Sequence, residues 1–583
     1  MTQKGWTGRI ARVDLASGRV EIEEPSPGDL ARDLGGKGLA GRRLQAAGPR
    51  DWDDPDLPFV LAAGPLVGTI APTPGRATLM CRSPLTGTVG DSSVGGRLGV
   101  TLKRAGFDAL VLTGRAPHLS GLVVEPGTVR LADARDLAGA GTDAVFARLE
   151  DYGSVACVGP AAESGALLAS VQVDRHHAAG RGGLGLALAN RGIKFIALRG
   201  AGKVAVADPA LLKAAREEIL RLTHASPALM GSQGFSCFGT GSIFDLMDSR
   251  RMMPTDNFSR TRFPQAAGLN AYAYKERYRP EKHGCHGCHI RCKKVASDGR
   301  SMPEFETMSH FTALIGNTDP ELVVAANAAC NRLGLDTIGA GSTLACHREL
   351  TGRDLAPDQV LGLLEDMGHG RGLGADLAQG AARLAADRGR PELAMAVKGL
   401  ELPAYDPRGA YGMALAYAVS TRGGCHLRAY PVSHEILRKP VATDRFTFSG
   451  KARIVKIAED ANAVVDSLTA CKFVFFAASL EEYAKAYTAV TGVESSAQDL
   501  LRLGERIIFR ERMMNAAWGF GAEHDDLPPR FFTEPGDDAG EFPVPPLDRA
   551  EFLKARAAYY AIRGLTPDGL PKAETAARLG LDT

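Results

Sequence analysis

The sequence predicts an α+β protein, a β-rich N-terminal base domain followed by two mainly α-helical domains, and three observations carry that reading. Strand-like segments punctuated by glycine fill the first two hundred residues. Helical periodicity takes over behind Asp208. The two textures follow one another rather than alternating, which separates α+β from a wound α/β sheet. A chain of 583 residues is too long for one hydrophobic core and implies about three or four domains. We place the divisions at residues 1–208, 209–415 and 416–583.

In chain order, residues 9–15 and 19–24 alternate around Ser17-Gly18, a hairpin signal. Short apolar or alternating runs predict strands at 59–62, 78–82, 109–113, 121–125, 129–132, 155–158, 168–173 and 193–198, with a helix at 99–105. A helix over 209–222 follows an Asp208 cap. Further helices are expected at 320–333, 375–387, 451–465, 480–491, 497–514 and 548–563. The proline- and acid-rich stretch 525–546 reads as an extended loop, and no internal repeat is present.

Composition excludes several classes. Hydrophobic content of 45% and charged content of 23% are those of an ordinary globular protein. A formal net charge of +2 without a dense basic run gives no reason to expect nucleic acid. Ten cysteines behind a start that lacks an apolar leader region imply a reducing compartment, so a cytoplasmic protein is expected. The apolar stretch near Phe473 is far too short to span a membrane.

The chemistry begins at Gly284-Cys285-His286-Gly287-Cys288-His289-Ile290-Arg291-Cys292, three cysteines spaced C-x2-C-x3-C. One loop can aim three thiolates at a common point, as three corners of an iron–sulfur cubane require. Cys471, in Asp466-Ser467-Leu468-Thr469-Ala470-Cys471, is the candidate for the fourth corner. Tetrahedral zinc sites usually divide their ligands into two pairs. A close triplet plus a remote singleton therefore favours a [4Fe–4S] cluster on Cys285, Cys288, Cys292 and Cys471. His283, His286 and His289 keep zinc as the alternative.

Two glycine-rich segments can bring backbone N–H groups close to an anion. One runs from Gly75-Arg76 through Ser83-Pro84-Leu85-Thr86-Gly87 to Ser92-Ser93-Val94-Gly95-Gly96. The other, Gly180-Arg181-Gly182-Gly183-Leu184-Gly185, satisfies G-x-G-x-x-G but is not a dinucleotide fingerprint. His176-His177-Ala178-Ala179 separates it from its strand, and no acid follows at ribose distance. Arg76 and Arg181 add charge-assisted donors. Tight turns between strands are the plainer reading of either segment alone.

Taken together these motifs resemble the tungsten-containing aldehyde ferredoxin oxidoreductase family along essentially the whole chain. The resemblance rests on Gly35-Gly36-Lys37-Gly38, Gly64-Pro65-Leu66, both glycine segments and the cysteine triplet. It continues through Pro303-Glu304-Phe305-Glu306-Thr307, Gly334-Leu335-Asp336-Thr337-Ile338, Tyr405-Asp406-Pro407-Arg408-Gly409, Arg422-Gly423-Gly424-Cys425-His426 and Asp466 through Cys471. It implies a β base capped by two helical domains, with the cofactor at their interface. That cofactor is a tungsten ion (or molybdenum, which sequence cannot distinguish) held by two pterins beside a [4Fe–4S] cluster, with Mg2+ bridging the pterin phosphates.

The positions that match the phosphate platform are Arg76, Ser93, Gly95, Gly96, Arg181 and Gly182. Those matching the pterin loops and their surroundings are Asp336, Gly339, Ser342, Arg428, Asp466 and Ala470. An aspartate suits a pterin because it accepts two N–H bonds from a guanidine-like edge. This chain departs from the family pattern at Ser93, where asparagine is usual, at Gly341, often an acid or cysteine, and at Thr469, usually glycine.

The reaction implied is aldehyde plus water to carboxylic acid, with electrons leaving through the cluster to ferredoxin or an iron–sulfur electron-transfer subunit. His426 is the acid–base candidate because imidazole titrates near neutrality. Glu304 and Glu306 are the candidate carboxylates, the family pattern favouring Glu306, and Tyr405 matches a position that faces substrate. A homodimer or hetero-oligomer is expected. Two other readings use the same scaffold: a tungsten-pterin subunit of a larger reductase, for instance one reducing an aromatic acyl-thioester, and a non-catalytic electron-transfer paralogue.

Overall fold

The computed structural model describes residues 3–537 and 542–581. Two six-stranded sheets occupy the first two hundred residues. The first runs Val20–Glu23, Ile10–Asp14, Ala109–Thr113, Phe59–Ala62, Ala77–Arg82, Val89–Val94 from edge to edge. The second runs His177–Ala179, Val171–Val173, Ser154–Val158, Ile193–Leu198, Ser120–Glu125, Thr128–Asp133. Most neighbours are antiparallel, but Ile10–Asp14 lies parallel to Ala109–Thr113, and Ile193–Leu198 parallel to Ser120–Glu125. Phe59–Ala62 and Ser154–Val158 are buried along their whole length, which is why they read as unbroken apolar runs.

From Pro209 onward helices dominate. Pro209–Ala225 starts on Asp208, whose carboxylate accepts the amides of Ala210 and Leu211, as the cap signal predicted. Pro320–Leu333 and Leu480–Thr491 have the predicted bounds. The predicted helix 375–387 is two, Gly372–Leu377 and Ala381–Asp387, broken at Gly380 with φ +90°. The predicted strand 168–173 shortens to Val171–Val173, because Leu168 and Ala169 pair instead with the loop before Asp336.

Some elements carry no clear sequence signal. The strand Val89–Val94 (VGDSSV) lies where a loop was expected, and the helix Gly36–Ala46 opens with GKG. Tertiary contact, not propensity, holds both. The helices Thr337–Thr351, Pro357–His369 and Tyr411–Val419 are likewise additions. All nine residues of Tyr411–Val419 are buried, so the division proposed at 415 falls inside a core helix. Within 525–546, Arg530–Thr533 forms a short turn of helix and Arg530 pairs with Glu349; residues 538–541 of that stretch lie outside the described residues. Among the described residues no helix is long and apolar enough to cross a membrane.

The helical part is organised around Lys451–Leu468, which packs along Ala497–Ala517 and rests on Gly36–Ala46. The pair meets at Gly504, where a Cβ would overlap the Asp460 carbonyl oxygen. Gly504→Ala is therefore expected to destabilise the protein by about 1–3 kcal/mol through overpacking against backbone that cannot yield. Gly362, inside Pro357–His369, has nothing within 4 Å of its Cβ position. Gly362→Ala should raise stability by about 0.4–1 kcal/mol. Urea unfolding midpoints of the two variants check this; equal midpoints would contradict the packing argument.

Candidate functional site

Three distant stretches meet at the base of Lys451–Leu468. Its C-terminus sits on glycines of the N-terminal part: a Cβ on Gly36 would stand 2.5 Å from the Asp466 carbonyl oxygen, and one on Gly64 would overlap the Leu468 backbone. The amide of Gly64 donates to Thr469 Oγ1 at 2.9 Å, that of Gly38 to Ser467 Oγ at 3.1 Å, and Thr78 Oγ1 to the Asp466 carbonyl at 3.2 Å. Thr469 is left-handed, with φ +51°. It adopts the conformation a glycine would, and its hydroxyl adds a bond that glycine lacks. The other aspartate loop is tied in the same way: the Asp336 amide donates to Leu168 O at 2.9 Å, and Asp336 caps Thr337–Thr351 through the Ile338 amide.

The four predicted cluster cysteines come together, Cys471 with the loop of Cys285, Cys288 and Cys292, near enough to perturb one another. All ten cysteines are free thiols. Burial pushes Cys471 up to about 12, and burial together with Glu304 and the neighbouring thiols takes Cys292 well above the ordinary range. Arg76 stands among them: burial would lower its pKa, but Cys471, Cys285, Asp466 and Cys292 outweigh it and raise it. Its Nε donates to Ser93 Oγ at 2.9 Å. A Cβ on Gly95 would overlap Cys285 Sγ, and the His286 amide donates to Gly96 O at 3.0 Å, so the cysteine loop lies on the glycine platform. Among the described residues no three His, Cys, Asp or Glu converge as ligands of a single ion.

Next to this lies a buried acid–base group. Glu306, in the first turn of Phe305–His310, has Oε1 3.5 Å from His426 Nε2, and its Oε2 accepts the Ala404 amide at 2.8 Å. The Tyr405 ring centroid is 5.4 Å from that of His426, and its hydroxyl shares a 3.0 Å bond with Tyr430. Burial raises Glu306 to about 8, with Asp336 and Cys425 contributing. Burial, then Arg181 and Arg422, drive His426 well below its ordinary value. The carboxyl is thus protonated at neutral pH and the imidazole is neutral. Glu304 is elsewhere: it flanks the helix and pairs with Lys293 at 2.7 Å, 42% exposed.

Three charged residues at the site, Asp91, Glu511 and Lys472, carried no signal in the sequence. Arg428 is there, but Asp91 holds its guanidinium in a buried ion pair that also includes Lys37 and Glu511. Burial would raise Asp91, yet Arg428, Lys37 and Arg422 hold it well below the carboxylate range. Lys472 bridges Asp466 Oδ2 at 2.8 Å and the Leu427 carbonyl at 2.6 Å, joining the pterin-loop candidate to the His426 turn. Arg422 is 8% exposed and donates to Asp91 O and Cys425 Sγ. It opens the Arg422-Gly423-Gly424-Cys425-His426 segment that carries part of the family resemblance.

The donor set fits a large polar ligand. Asp466 Oδ1, Ser342 Oγ, Arg422 Nε, Glu306 Oε1 and His426 Nδ1 are buried without a hydrogen-bond partner. Such groups are rare, and a concentration of them marks a place where ligand atoms complete the bonding. Arg181 Nε lies 3.2 Å from Asp336 Oδ2, and Arg181 also donates to Gly424 O and Glu401 O, so the second glycine segment faces both the Asp336 loop and the His426 turn. Gly182 (φ +81°) accepts Ser83 Oγ on its carbonyl at 2.7 Å; Gly339 lies against Leu168, and Ala470 is fully buried.

Comparison with known proteins agrees with this geometry. The family description "Aldehyde ferredoxin oxidoreductase, N-terminal domain" matches residues 10–200, and that for domains 2 and 3 matches residues 214–581. The chain is 34% identical to the tungsten-containing aldehyde ferredoxin oxidoreductase of Pyrococcus furiosus over 98% of each chain, and 33% identical to that of Thermococcus kodakarensis over the same shares. It also superposes on a solved chain of the BamBC active-site complex of benzoyl coenzyme A reductase with TM-score 0.84, covering 99% of this chain and 97% of that one. At 21% identity that likeness shows the fold alone. The chain is an oxidoreductase belonging to the aldehyde ferredoxin oxidoreductase family.

Proposed function

We propose that this protein oxidises aldehydes to carboxylic acids with water, using a tungsten (or molybdenum) bis-pterin and a [4Fe–4S] cluster, and delivers the electrons to ferredoxin or an iron–sulfur subunit. The observation that carries the reading is the buried Glu306, His426 and Tyr405 group, which lies among unpartnered donors and acceptors beside four gathered thiols. When bound, the metal and cluster would supply the two-electron redox chemistry. Asp336 and Asp466 would take the N–H edges of the pterins, with Ser342 and the backbone at Gly339 and Ala470 beside them. Arg76, Arg181 and the backbone at Ser93, Gly95, Gly96 and Gly182 would hold their phosphates and Mg2+. Cys285, Cys288, Cys292 and Cys471 would ligate the cluster. A close triplet joined in the fold by one remote thiol supports a cluster over zinc.

The protein side of the chemistry follows from protonation. Glu306, protonated near neutrality, donates to the substrate carbonyl oxygen and polarises it. Neutral His426 accepts a hydrogen bond from the attacking water and orients it. Tyr405 and Tyr430, both pushed above their ordinary range by burial, stay phenols and keep the carbonyl oriented.

Anaerobically purified protein is expected to contain about four iron and about one tungsten or molybdenum per chain; zinc without iron would refute the cluster. Cys288→Ala should lose the iron, while Cys157→Ala, on a buried strand, should keep it. His426→Ala should retain metals yet lower aldehyde turnover by about 10²–10⁴-fold, measured with ferredoxin or an artificial acceptor. Glu306 is active while protonated, so turnover should fall as pH rises through about 8. Glu306→Gln should cost about 10²-fold at neutral pH and erase that alkaline limb. A fully metallated protein inert to every aldehyde would point to a reductase subunit instead.

A further inference from the structure

We propose that His177 donates a hydrogen bond to the iron–sulfur cluster at its Cys285 corner and thereby raises the cluster's reduction potential; this rests on the cluster reading above. His177 begins the edge strand His177–Ala179, which pairs only with Val171–Val173 and so carries the imidazole to the rim of the second sheet. There the side chain is 5% exposed, and Nε2 has no hydrogen-bond partner among the described residues.

The glycine platform brings the ring to the cluster loop. A single Cβ on Gly95 would overlap Cys285 Sγ and stand 2.9 Å from His177 Nδ1; one on Gly96 would stand 3.3 Å from His177 Cδ2. Cys285 Sγ and His177 Nδ1 therefore both lie against the open face of Gly95. An imidazole carries at least one ring N–H in either protonation state, and the nitrogen next to Gly95 is Nδ1. Cluster sulfur at the Cys285 corner would supply the acceptor for Nδ1.

The neighbouring His176 differs in this respect. His176 Nδ1 is bonded to Ser301 Oγ at 2.6 Å, and its ring packs against His283 at 4.8 Å. Hydrogen bonds to cluster sulfur stabilise the reduced, more negative state, so losing one makes reduction harder.

The test is an anaerobic redox titration of the holoenzyme, following the cluster by electron paramagnetic resonance. His177→Phe is expected to lower the reduced-to-oxidised ratio at fixed potential about tenfold, about 59 mV for a one-electron couple. His177→Gln, which keeps an N–H donor, should recover most of the shift, and His176→Phe should titrate like wild type. Should His177→Phe fail to retain iron, His177→Met, a donor-free side chain without the ring, gives the same comparison. A wild-type midpoint in iron-replete donor-free variants, or an equal shift in His176→Phe, would overturn the proposal. Wild-type protein without iron would overturn the cluster reading along with it.

Discussion

The rest of the structure depends on one backbone contact, the seating of residues 466–469 on Gly36 and Gly64. Helix ends are normally kept apart by their side chains; here two glycines let carbonyls and backbone approach to distances no Cβ permits. The contact fixes Asp466 and, five residues on, Cys471, so the pterin-loop candidate and the remote cluster thiol share a single anchor. Thr469 shows how firmly that anchor is set. A β-branched residue at φ +51° costs on the order of 1–3 kcal/mol, which the surrounding contacts, including the Gly64 amide on its hydroxyl, must offset.

Around this anchor the interior is charged to an unusual degree. Asp91, Arg428, Lys37 and Glu511 form one buried network, while Asp336, Arg181, Asp466 and Lys472 line the neighbouring space. Removing one partner of such a network strands an uncompensated charge, at about 3–5 kcal/mol. The two groups differ in completeness. The first is closed on itself and fixes the turn that carries His426; the second leaves polar atoms unpartnered, as a preformed receptor does. Arg428 belongs to the closed group in this structure.

The opposed shifts of Glu306 and His426 arise from one cause, loss of water. Burial favours the neutral form of each, which leaves a proton on the acid and removes it from the base. The result is a hydrogen-bond donor and a hydrogen-bond acceptor 3.5 Å apart, neither carrying charge into a space lined with arginine. Pairs of titratable groups whose environments push their pKa values apart are the usual signature of divided acid and base roles.

Much of this was legible from local spacing. The β-then-α order, the Asp208 cap, the bounds of Pro320–Leu333 and Leu480–Thr491, and the cysteine triplet all depend on residues near one another in sequence. Propensity, periodicity and ligand spacing act at that range. What the sequence could not show was set by contacts across hundreds of residues. Val89–Val94 and Gly36–Ala46 are weak strand and helix formers; the first pairs with the preceding Ala77–Arg82 and donates its Val89 amide to distant Asn515, and the second is held by residues 466–469. Glu304 and Glu306 are two residues apart, yet one reaches Lys293 near the surface and the other is buried against His426. Arg422 and Lys472 look like surface cations until burial places them against Asp91, Cys425 and Asp466. The sequence determined which chemical groups were present and in what local order. Only the tertiary structure decided which of them lost water and which partner each then faced, because desolvation is a property of the packed interior rather than of any segment.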